Sequence, residues 1–159
     1  MTYIGRHMTT TASAETSTWK LALFSPRQRL SLILWLVAAH SFCVGLGLIL
    51  IPEAWLPYFG FTPGGERFFR VQAGVFHFVM VVLYAMGAVR CASSSDAVHI
   101  AIAAKIMAMV FLISYFLFAG AIWMVLLSGL FDGMLGLLIL WAFVGCRRIV
   151  RAAGERPPE

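Results

Sequence analysis

The sequence predicts an all-α integral membrane protein: a four-helix bundle with both termini in the cytoplasm. Three observations predict it. Of the 159 residues, 61% are hydrophobic and only 12% charged, where a soluble domain of this size runs nearer a quarter charged. The apolar residues fall in stretches long enough to cross a bilayer, whose core of about 30 Å needs about 20 helical residues. The basic residues gather at the chain ends and loop edges rather than along a face, which fits topology signals and anionic headgroups better than a nucleic-acid groove.

A polar leader, rich in Thr and Ser, occupies residues 1–29 and has the composition of a disordered tail. Either Met1 or Met8 can open the chain. The first apolar run is about twice the length of a signal-peptide core, so no cleaved leader is expected. The first span, LSLILWLVAAHSFCVGLGLILI, covers 30–51 and stops at Pro52, with Pro57 and Pro63 preventing continuation. The second, 68–89, carries Arg70, Gln72 and His77 within an otherwise apolar run. The loop RCASSSDA breaks the chain before a stretch from Val98 to Val144 whose only charges are Lys105 and Asp132. That stretch divides into spans 98–119 and 126–146 around a tight apolar turn, with Trp123 at the interface. A basic tail, 147–159, completes the transmembrane domain of 30–146.

Orientation follows from lysine and arginine near the span ends. Lys20, Arg27 and Arg29 precede the first span, Arg90 lies between the second and third, and Arg147, Arg148 and Arg151 follow the fourth. Both ends are therefore expected inside. On the opposite side, the loop PEAWLPYFGFTPGGER presents Trp55, Tyr58, Phe59 and Phe61, suited to the headgroup zone or to a partner surface.

Charged groups in lipid turn inward and pair. Arg70 falls in the outer first turn of the second span. If the fourth span begins near Gly129, Asp132 falls at the same height, which predicts an Arg70–Asp132 ion pair that fixes helix registry, with Gln72 near in depth. Lys105, two turns in from the inside, is expected to snorkel back to the headgroups.

His40 and His77 both fall near the midplane. Two such imidazoles suit a structural hydrogen bond to a carbonyl or to Ser41, Tyr84 or Tyr115, a quinone or proton site, or axial ligation of haem b. The structural role is the leading expectation, with no cofactor. On the fourth span Gly129, Gly133 and Gly136 form a small-residue groove for close helix packing, and Ala97, Ala101, Ala104 and Ala108 form a stripe on the third that would suit it. Cys43, Cys91 and Cys146 have neither a disulfide framework's even count nor metal-ligand spacing.

No dinucleotide, phosphate-loop, zinc-protease or hydrolase signature is present, and the loops are too short for a substrate domain. The expectation is an accessory subunit rather than an enzyme. With FGFTPGGERFF in the outer loop, QAGVFHF in the second span and LFDGMLGLL in the fourth, residues 30–146 resemble small bacterial four-helix inner-membrane proteins, the DoxX-like proteins among them. That resemblance implies a bacterial inner-membrane location and kinship with subunits of quinone-linked enzymes. The leading expectation is a non-catalytic subunit that packs against a larger bioenergetic complex, respiratory or photosynthetic. The alternatives are a quinone- or haem-binding redox subunit using His40 and His77, and a small oligomeric transporter or channel. Expected partners are the bilayer and other membrane subunits, not nucleic acid.

Overall fold

The computed structural model describes residues 25–90 and 95–154. Residues 1–24 of the polar leader and Cys91 lie outside them. Four long helices carry the fold: α1 (Pro26–Leu50), α2 (Arg67–Arg90), α3 (Asp96–Phe118) and α4 (Trp123–Gly154), with a short 3-10 helix, Glu53–Phe59, between α1 and α2. All four are long and apolar enough to span a membrane.

The helix ends have local causes. Pro26 opens α1 at a position where its missing N–H is no loss, and Ser25 and Gln28 close a reciprocal capping box. This begins α1 four residues before the apolar run. Ile51 caps it immediately before Pro52, and the Ile51 N–H bonds to the Gly47 carbonyl. The 3-10 helix ends at Gly60, whose φ of 84° only glycine adopts cheaply. A side chain there would also meet Trp123, so the loop is pressed onto the start of α4.

The third and fourth helices are joined by residues 119–122. The expected fourth span, 126–146, is thereby corrected: α4 begins at Trp123 and runs through the basic segment to Gly154, so the first part of the supposed C-terminal tail is helix.

Packing is strongest within the two hairpins, α1 with α2 and α3 with α4; α1–α4 and α2–α3 contacts join them. The α1–α2 seam is a backbone approach. A Cβ on Gly45 would lie 2.9 Å from the Gly74 carbonyl oxygen, and one on Gly74 would lie 2.8 Å from that of Gly45. Gly129, Gly133 and Gly136 lie along α3, but they do not receive the alanine stripe. They face Leu112, Met109 and Lys105 respectively, large side chains set into the glycine hollows, while Ala97 lies against Gly87 of α2.

The fully buried apolar residues concentrate in one half of the molecule. Leu30, Leu34 and Val37 of α1, Tyr84 and Ala88 of α2, Val98 and Ala101 of α3, and Ile139, Ala142 and Phe143 of α4 all belong to the half nearest the chain ends. Ser31 ties α1 to α2 in this half, its hydroxyl donating to the Ala88 carbonyl at 2.9 Å.

Candidate functional site

Where this apolar core ends, a layer of polar side chains begins. Lys105 of α3 and Asp132 of α4 form a buried ion pair, the lysine 2% and the aspartate 8% exposed. The Lys105 ammonium donates to Asp132 Oδ1 and stands 5.5 Å from the centroid of the Tyr84 ring on α2, within cation–π range. Seven residues before Tyr84 on α2, His77 shares a 3.1 Å hydrogen bond through Nδ1 with Ser41 of α1. His40 turns from the same stretch of α1 toward α4, its ring 4.8 Å from that of Phe131. Lys105 and Asp132 act electrostatically on both imidazoles, and His40 acts on His77. Four helices thus contribute to one polar layer.

Two expectations are corrected here. Asp132 pairs with Lys105, not with Arg70, and Lys105 turns inward instead of snorkelling to the headgroups. The reason is depth. Because α4 starts at Trp123, Asp132 is nine residues into its helix, about 13.5 Å, whereas Arg70 is three residues into α2, about 4.5 Å. The α3–α4 hairpin brings Gly136 against Lys105 and Gly133 against Met109. Asp132 therefore sits one helical turn from Lys105, within reach of the lysine stem. Pairing an ammonium with a carboxylate inside an apolar medium relieves a desolvation penalty that neither could bear alone.

Arg70 is left in a different position. Its Nε and Nη1 are buried and have no hydrogen-bond partner. Gln72, near it in depth, is exposed on another face of α2. That face also displays Phe68, Phe69 and Phe76. In the outer loop Trp55 and Tyr58 are exposed, whereas Phe59 and Phe61 are half-buried.

The two histidines have separate partners: His77 is bonded to α1 through Ser41, and His40 lies against Phe131 of α4. Among the described residues no group of three or more His, Cys, Asp or Glu is placed to hold a metal ion. Of the described cysteines, Cys43 is exposed and Cys146 buried, both as free thiols.

Sequence reasoning missed the Lys105–Asp132 pair, although its signal was present. These are the only charges between Val98 and Val144, and folding that stretch about a turn at 119–122 puts position 132 opposite 109, one turn from 105. A turn placed a few residues later hides the match. Compared with known proteins, the chain matches no family model, no curated protein and no solved structure.

Proposed function

We propose that this chain is a non-catalytic integral membrane subunit that packs against a larger bioenergetic complex, respiratory or photosynthetic, in the bacterial inner membrane. Both termini face the cytoplasm, since Arg27, Arg29, Arg90, Arg147 and Arg148 all lie at one end of the four helices. The polar layer serves as an internal lock: its ion pair is neutral as a unit, bonded and buried, and it joins α3 to α4 while His77 and Ser41 join α1 to α2.

What carries the reading is the outward face of α2. Gln72 is exposed five residues into the helix, about 7.5 Å along its axis, beside the exposed rings of Phe68, Phe69 and Phe76. Lipid offers an amide no hydrogen-bonding partner at that depth, whereas a neighbouring helix does. The exposed Trp55 and Tyr58 continue the same aromatic character beyond the helix end.

The test is the size of the particle extracted in mild detergent and run on a native gel. The wild-type chain is expected in a species well above the monomer, and Gln72→Leu with Phe76→Ala is expected to release it as a folded monomer. A wild-type monomer under every mild extraction removes the reading.

One observation favours a second reading, a quinone-binding redox subunit. The Arg70 guanidinium leaves two buried donors unused, and a quinone carbonyl is an acceptor of the kind they lack. Redox difference spectroscopy with added quinone, on wild type and Arg70→Leu, separates this reading from the first.

A further inference from the structure

Between α4 and the first turn of α1, an open groove of about 500 Å³ runs toward the end of the helices that carries Arg29 and Arg148. Its floor is apolar: Leu137, Trp141 and Val144 of α4, with Trp141 64% exposed. Its rim is basic, with Arg148 one turn beyond Val144 and Arg29 contributed by the first turn of α1. Gly145 keeps the groove open. A Cβ at Gly145 would meet nothing within 4 Å, and Gly145 is not among the glycines with positive φ, so the position needs glycine neither for packing nor for backbone geometry.

We propose that this groove is a binding site for an anionic phospholipid. Its phosphate lies between Arg29 and Arg148, and an acyl chain runs down over Trp141 and Gly145. The two halves of the site match the two halves of that molecule. From Trp141 to Arg148 is seven residues, about 10.5 Å along the axis, which sets the guanidinium at headgroup level when the indole lies among the chains. A basic rim favours a headgroup of net negative charge over a zwitterionic one, whose ammonium it repels. Arg27 and Arg147 add to the positive potential at the same end. Arg29 also engages another part of the chain, and what the lipid requires of it is a positive charge at the rim. The site depends on membrane insertion and not on the subunit reading, because it is built from α1 and α4 residues and not from the outward face of α2.

The experiment is native mass spectrometry of the full chain released from nanodiscs of equal phosphatidylglycerol and phosphatidylcholine. Wild type is expected to retain one phosphatidylglycerol in preference to phosphatidylcholine. Replacing Arg29→Gln or Arg148→Gln should lower that retention about fivefold for each guanidinium removed. Gly145→Leu, which fills the groove and keeps both charges, should lower it as well, with circular dichroism confirming an unchanged helix content. Equal retention of both lipids by wild type overturns the proposal. So does loss in the arginine variants with full retention in Gly145→Leu, which reduces the effect to surface attraction without a site.

Discussion

At the scale of single residues, the ion pair of Lys105 and Asp132 behaves as one unit. Replacing Asp132 with Asn leaves a 2% exposed ammonium without its counter-charge, and breaking a buried pair from one side costs about 3–5 kcal/mol. Replacing both partners together, Lys105→Met with Asp132→Leu, removes the desolvation burden along with the attraction and should recover most of that loss. Thermal unfolding of wild type, Asp132→Asn and the double variant in detergent checks it. A stable Asp132→Asn single variant contradicts the pairing. The Ser41–His77 bond is a smaller quantity: hydrogen bonds between membrane helices average about 0.6 kcal/mol. His77→Phe, which keeps the ring's bulk, should therefore lower stability far less than Asp132→Asn does.

Individual side chains act through helices, and at that scale the seams are set by glycine. Two backbones touch where Gly45 meets Gly74, and a methyl group at Gly74 would come within 2.6 Å of the Ile49 side chain and 2.8 Å of the Gly45 carbonyl oxygen. Such separations force the helices apart, since overpacking a filled site costs about 1–3 kcal/mol. Gly47, two residues from Gly45, has open space around it. Gly47→Ala should be neutral or raise stability by up to about 1 kcal/mol through helix propensity, while Gly74→Ala lowers it. The paired melting temperatures decide this, and equal behaviour of the two variants would mean that the α1–α2 seam is not a backbone contact. On the other hairpin, Gly133 accepts Met109 and Gly136 accepts the stem of Lys105. Here the glycines work as hollows for large side chains, so the register that seats Met109 also sets the height of the ion pair.

At the scale of the whole molecule, four helices are long and apolar enough to cross a membrane, and the proposed topology returns the chain to the side from which it started. Reporters fused at Met1 and at Glu159 should both report the cytoplasm, and one introduced near Gly64 in the outer loop should report the opposite compartment. Opposite results at the two ends require an odd number of crossings. The core is unevenly placed, with fully buried apolar residues in the half nearest the termini and the polar layer where that core ends. The outer half contains the close approach of Gly45 to Gly74 and the unpartnered nitrogens of Arg70. Partner or ligand contacts are accordingly expected at the outer half, and the anionic lipid at the inner one.

The sequence by itself determined the all-helical class and the number of helices long and apolar enough to cross a membrane. These depend on composition and on length against bilayer thickness, and both are additive along the chain. It also marked Arg70, His40, His77, Lys105 and Asp132 as the groups that hydrocarbon disfavours, because that penalty belongs to each side chain singly. Tertiary structure alone decided which of them meet. A shift of a few residues in the start of α4 moves Asp132 from the height of Arg70 to that of Lys105, since each residue is worth about 1.5 Å of depth and about 100° of rotation. Partnership in a membrane depends on depth and face together, and neither is fixed until the hairpin turn and the glycine seams have set the register between helices.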